Sequence, residues 1–251
     1  MSQGRTNNWV PKTKQHLRDA YPPALPDRSK PLPLNEVREW LLNPINRSRI
    51  EDHLDWYLRR YDGRLFEYFR NRSDARRFTP WDILAVESLS VVVPINAAKW
   101  LIEPDIYRDG LIDDAQKMLD GGTGELWSCD EALLVGNKKR LEESGSLFQL
   151  YECLRAHKIG PVTTSKLLAS KFPVVVPIKD SRIVALLDLQ PNENWWLSVR
   201  KLFTEGSVSL RDYLDQLVVP DGCGDLTTLR RLDIILWMEA NARNIQIKTR
   251  K

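Results

Sequence analysis

The residues best placed to do chemistry are concentrated in one stretch, LRAHKIGPVTTSKLLASKFPVVVPIKDSRI, running from Leu154 to Ile183. It predicts a helix ending near Ala156, a tight turn at His157-Lys158-Ile159-Gly160, and a second helix opened by Pro161. Proline suits that first helical position because the missing N–H would have no intrahelical partner anyway. Between Leu154 and Pro173 there are four basic residues, Arg155, Lys158, Lys166 and Lys171, and no acid. The start of the second helix offers the backbone N–H groups of Val162 and Thr163 and the positive end of the helix dipole, and Gly160 lets an anion approach closely. The chemistry this suits is docking of a phosphate, held by main chain and Lys158, with Lys166 and Lys171 adding charge. Such contacts position a nucleic acid without reading its sequence. Packing of two helices with no ligand is the alternative. Asp180, ahead of Ile183, Val184 and Leu186, reads most simply as a helix N-cap.

The elements that must position this stretch are almost all helical. Asn35 is a candidate cap for NEVREWLL, which Pro44 ends. Ser48 with Glu51 predicts a capping box for a helix running to about Arg60. YDGR, Tyr61 to Arg64, reads as a structural turn. In FTPWDILAVESLSVVV, Thr79 caps, Pro80 takes the first position and Asp82 the third, and the apolar run from Ile83 to Val93 predicts one long buried helix. INAAKWLI follows Pro94. Helices are expected at 146–156, 160–171, 180–188, 193–205, 209–217 and 225–243, the last capped by Asp225 and presenting Arg230 and Arg231 to solvent or to a nucleic-acid backbone. PVVVPI, Pro173 to Ile178, has a proline at each end and reads as an extended loop rather than a strand. Gly121, Gly122 and Gly124 form a flexible turn: no strand precedes them and no GK[ST] follows, so a phosphate cradle has little support. The expected class is all-α: a proline-rich basic arm over 1–34, then a helical domain over 35–251, with the hairpin at about 146–171 and an aspartate loop at 173–183.

Composition bounds the function. The 251 residues carry a net charge of +3, unevenly distributed. Residues 1–30 contribute +4, the last seven +3, and residues 31–244 a net −4. Two basic tails on a mildly acidic body suit non-specific grip on a polyanion, and within that body the charge of 154–173 is the local exception. No run of about 18 apolar residues predicts a membrane span, and MSQGRTNNWVPKTK lacks the apolar core of a secretory signal. Cys129, Cys153 and Cys223 fit neither a disulfide framework nor a zinc spacing, so a reducing, cytoplasmic setting is expected. His16, His53 and His157 are scattered, and neither a metal nor a cofactor is called for. Tryptophan is abundant, at nine copies, mostly suited to anchoring helix packing.

The Leu154–Ile183 stretch also resembles the helix-hairpin-helix and aspartate loop of the endonuclease III-like superfamily of DNA glycosylases. There, a hairpin of the form L-P-G-h-G is followed, about twenty residues after its second glycine, by a hydrophobic stretch ending in V-D-[TV]-H-[IV]. Here Gly160 and Asp180 are 20 apart, Asp180-Ser181-Arg182-Ile183 is similar to D-T-H-I, and Lys158 stands where the first glycine would be, so that turn is expected to be built differently. The resemblance implies double-stranded DNA as partner, a flipped nucleotide, and Asp180 as the carboxylate that stabilises an oxocarbenium-like C1′ and orients water. Trp127, Trp195 and Trp196 are then candidates for stacking on a base. Val162 occupies the position of the Schiff-base lysine of bifunctional members, which implies base excision without lyase activity. A four-cysteine iron cluster is likewise not implied, since Cys223 alone lies beyond residue 153. YDGR, LLASKFP and PIKD also resemble an uncharacterised family of actinobacterial proteins, which implies no activity. A DNA-binding module without chemistry, and a helical interaction or immunity protein in which the hairpin only packs, remain open.

Overall fold

The computed structural model describes residues 30–121, 124–190, 193–221 and 226–245. Twelve α-helices occur among them: α1 (Leu34–Leu42), α2 (Arg47–Arg60), α3 (Leu65–Arg70), α4 (Pro80–Ser88), α5 (Ile95–Ile102), α6 (Ile106–Asp120), α7 (Ser146–Ala156), α8 (Pro161–Lys171), α9 (Ser181–Leu186), α10 (Trp195–Thr204), α11 (Leu210–Asp215) and α12 (Thr228–Ala242). The described residues contain no strand; an isolated bridge pairs Asn137 with Arg140. The class is all-α, as the sequence indicates. Among the described residues no helix is long and apolar enough to cross a membrane.

Two helices lie at the centre. α8 is buried from Thr163 to Lys171, and most of α12 is buried as well, including Leu232, Ile234, Ile235 and Met238. Both are therefore apolar or internally paired around most of their circumference, where a surface helix would show a single stripe. α12 packs on α2 and α9, while α8 packs on α4 and α7. Leu32 is buried and its N–H donates to Leu186 O at 2.7 Å, so the end of the proline-rich segment lies on the body. The rest of the basic arm, residues 1–29, and the C-terminal basic residues 246–251 fall outside the described residues.

Several local expectations change. Thr79 and Asp82 do form a capping box at α4, with Pro80 at the first position. The helix stops at Ser88, however, and the apolar run leaves it: Ser90 adopts φ +60, and Pro94 disfavours helical backbone at the residue before it. Leu89 to Val93 consequently form a turn and an extended segment. Ser48 makes no capping box; α2 starts at Arg47 out of the 3-10 turn Pro44–Asn46, and Glu51 accepts from Arg47 Nε at 3.0 Å. α1 begins at Leu34 after Pro33, so Asn35 sits inside it. Thr227 caps α12, accepting from Arg230 N at 3.2 Å, while Asp225 lies outside the described residues.

Candidate nucleic-acid interface and the Asp180 recess

The hairpin turn is built by main chain. His157 N donates to Leu154 O at 3.2 Å and Lys158 N to Arg155 O at 3.1 Å, closing α7. Lys158 then takes φ +62, the left-handed conformation that favours glycine. The turn therefore holds a lysine in a backbone conformation that glycine adopts more readily. Ile159 is buried beneath the turn, its carbonyl accepting from the Arg155 guanidinium and from Thr164 Oγ1. Gly160 is exposed, an added Cβ would meet nothing within 4 Å, and no side chain caps α8. His157 stacks on Trp100 at 3.5 Å between ring centroids, with Nδ1 3.1 Å from Cys153 O.

The basic residues of this stretch divide sharply. Lys158 faces solvent, whereas Arg155 folds back onto the turn. Lys166, expected at the phosphate, is buried, with Nζ 2.9 Å from Leu89 O and 3.1 Å from Asp180 Oδ2. Lys171 is buried too, donating to Asp82 Oδ2 at 2.7 Å, Ser73 Oγ at 2.6 Å and Asp74 O at 2.6 Å. Burial pulls its proton affinity down, against the upward pull of Asp82. Thr163 is buried and Val162 half-buried. Positive charge in 154–173 is therefore turned mostly inward: an ammonium inside a protein needs a carboxylate or carbonyl partner, and both buried lysines have found them.

Asp180 caps a helix, as its place ahead of Ile183 predicts, and also pairs with Lys166. Its Oδ1 accepts from Arg182 N at 2.9 Å and caps α9, while Oδ2 meets Lys166. The side chain keeps 13% of its surface exposed, at a recess walled by Tyr61, Leu89, Asp233 and Trp237. The cavity measures about 20 Å³, room for about one water. Tyr61 Oη lies 2.7 Å from Ser90 Oγ, and burial raises the phenol. Arg230, which also lines the recess, donates to Glu67 Oε1 at 2.8 Å, Tyr57 Oη at 2.7 Å and Gly63 O at 3.2 Å, and pairs with Asp233. Burial pushes Asp233 up to about 6 even with Arg230 beside it. Arg230 is thus interior, not a solvent or backbone contact, and Arg231 is tied to Leu217 O at 2.9 Å. YDGR is a structural turn: a Cβ on Gly63 would stand 2.1 Å from Tyr57 Oη.

Of the tryptophans expected to stack on a base, Trp195 and Trp196 are committed to the interior. Trp195 and Trp196 are buried, Trp195 donating through Nε1 to Pro177 O at 3.0 Å and so clamping the aspartate loop. Trp127 is half-buried against Phe203, 4.6 Å away, with Arg211 over its ring at 5.6 Å. Val92, two residues beyond Ser90, is 78% exposed. Its exposure is hidden in the sequence by the apolar run around it, and the following Pro94 is the signal that the helix ends before it. Among the described residues no group of three or more His, Cys, Asp or Glu is arranged for a metal. His53 is buried against Glu239 at 2.9 Å; His16 and Cys223 lie outside the described residues.

No curated protein and no solved structure matches the chain. A family model described as "Family of unknown function (DUF6308)" matches residues 50–240, from the first turn of α2 almost to the end of α12. That span takes in the hairpin, the aspartate loop and every wall of the recess, and the chain belongs to this family of unknown function, DUF6308.

Proposed function

We propose that the protein binds double-stranded DNA through the Lys158–Gly160 turn and cleaves an N-glycosidic bond at Asp180, without lyase chemistry. The observation that carries this reading is the Lys166–Asp180 contact. Lys166 lies six residues beyond Gly160, so it fixes the carboxylate about 9 Å along the axis of α8 from the open turn, at 1.5 Å per residue. A phosphate on the turn and a sugar at Asp180 are then neighbouring parts of one strand. The carboxylate would stabilise positive charge developing at C1′ and orient the attacking water, for which the recess has room. Val92, on the segment whose residues 89 and 90 touch Lys166 and Tyr61, takes the place of the buried tryptophans as the apolar wedge that fills the gap left by a flipped nucleotide.

DNA binding without chemistry is the second reading, favoured by the small size of the recess, which admits a water but no base. The two readings separate on a panel of duplexes carrying damaged or modified bases. The wild type should release a base and Asp180→Asn should bind equally well and release none. Binding with no release by the wild type leaves the second reading, and no duplex binding at low salt removes both.

A further inference from the structure

Away from the hairpin turn, Arg70-Asn71-Arg72-Ser73-Asp74-Ala75-Arg76-Arg77 has four arginines against one acid, and Arg72, Arg76 and Arg77 are exposed. We propose that this arginine loop is a second binding surface for the nucleic-acid backbone, an inference that rests on the DNA-binding reading above.

Three observations carry it. First, the loop is pinned from below. Lys171 donates to Ser73 Oγ and Asp74 O, Ser73 Oγ meets Thr79 Oγ1 at 3.0 Å, and Asp74 Oδ1 accepts from Arg76 N at 2.8 Å. A buried lysine and a buried capping aspartate thus hold a charged loop in one shape, so little ordering entropy is left to lose on binding. Second, its arginines are presented outward. Arg76 and Arg77 expose 62% and 66% of their side chains, and Arg72 is exposed with its guanidinium 3.5 Å from the Tyr68 ring centroid. Their acidic partners are Asp74 for Arg77 and, for Arg76, the half-buried Asp113 that Lys117 also engages; ion pairs at a surface are weak and readily exchanged for phosphates. Third, the loop is backed by half-exposed aromatic rings, Tyr68 and Trp81, the latter stacked on Phe69 at 6.2 Å. Arginine fork and aromatic face together fit a phosphodiester strand better than an isolated anion.

Position matters as well. Lys171 ends α8 and Gly160 precedes it, so the arginine loop and the hairpin turn sit at opposite ends of one rigid helix, about 16 Å apart along its axis. That corresponds to roughly five base-pair rises of B-DNA, within one bound duplex segment and on either side of Lys166 and its partner Asp180.

The test is anisotropy titration of a fluorescent duplex against the full chain over a series of salt concentrations. The triple variant Arg72→Ala, Arg76→Ala, Arg77→Ala should bind about tenfold more weakly at low salt. Its log–log salt slope should be shallower by about two to three, since each phosphate contact contributes about 0.9. Lys158→Ala should shallow the slope by about one, and the triple Arg→Lys variant should keep most of the slope. Thermal melting of each variant controls for folding, which exposed arginines on a loop held by Lys171 should not disturb. Unchanged affinity and slope in the triple alanine variant, with a wild type that binds, overturns the arginine surface alone. A wild type that binds no duplex overturns the DNA-binding reading and this surface with it.

Discussion

Lys166 Nζ stands 3.1 Å from Asp180 Oδ2 and 2.9 Å from Leu89 O, so one buried ammonium ties α8 to the aspartate loop and to the segment leaving α4. The same carboxylate caps α9 through its other oxygen. Asp180→Asn should therefore separate function from helix capping. Asparagine caps as well as aspartate, so α9 keeps its start, while Lys166 loses a charge partner at a cost of about 1–3 kcal/mol. Asp180→Ala should cost about 1 kcal/mol more, through the lost cap. Urea denaturation of the two variants beside the wild type measures both increments. Equal stability of the two would mean that capping contributes nothing.

Trp195→Ala should unfold the protein more readily by about 3–5 kcal/mol, the usual result of emptying a buried indole site. It also removes the donor that holds Pro177 O. Trp127→Ala should cost less, because that ring is only half-buried. A stacking role for Trp195 predicts the reverse pattern, intact stability with weakened DNA binding, and denaturation combined with a binding titration decides between them.

What the sequence disclosed was what local chemistry decides. Thr79, Pro80 and Asp82 determine the start of α4 among themselves, and Pro161 does the same for α8, so those starts were legible. α7 was likewise read over the same residues, 146–156. The end of α4 was not, because Ser90 in a left-handed turn and the Lys166 bond to Leu89 O are set by packing that no window of apolar residues reveals. The site shows the same limit. The resemblance to the glycosylase aspartate loop singles out Asp180, whereas charge counting places Lys166 and Lys171 on the surface. Their partners, Asp180 and Asp82, are 14 and 89 residues away or come from the far side of the fold, and pairing at that range is invisible in one chain. Arg230, which meets Glu67 across 163 residues, was misread for the same reason.

Acid should loosen the contact between α2 and α12. Glu239 accepts from His53 Nε2 at 2.9 Å and Arg243 Nε at 2.6 Å, and lies 2.7 Å from Arg49. Burial on its own would raise this carboxyl. The bonds from His53 and Arg243 and the charge of Arg49 outweigh it and hold the group below the ordinary 4.5. A folded value below the unfolded one means stability that is present above the unfolded value and lost as pH falls through the folded one. Glu239→Gln should be less stable by about 3 kcal/mol at pH 7, since Arg49 and Arg243 lose their carboxylate and His53 its partner, and the gap to wild type should close as pH drops below about 4. Urea midpoints measured from pH 7 to pH 3 test this; a gap that stays constant across the range would remove Glu239 from the acid response.

Lys158 should reveal whether the hairpin is kept for packing or for binding, because the two demands conflict at that residue. Holding a lysine at φ +62 costs about 1–2 kcal/mol relative to a right-handed backbone, a penalty glycine escapes. Glycine is also the more flexible residue when unfolded, which returns part of the gain. Lys158→Gly should therefore stabilise the protein by about 0.5–1 kcal/mol. If the turn holds a phosphate, the same substitution should weaken duplex binding and shallow its salt slope by about one, as loss of one cationic backbone contact requires. A variant that is more stable and binds DNA less well marks Lys158 as a residue retained for its charge at the expense of the turn. Equal binding by the stabilised variant would assign the hairpin to packing alone.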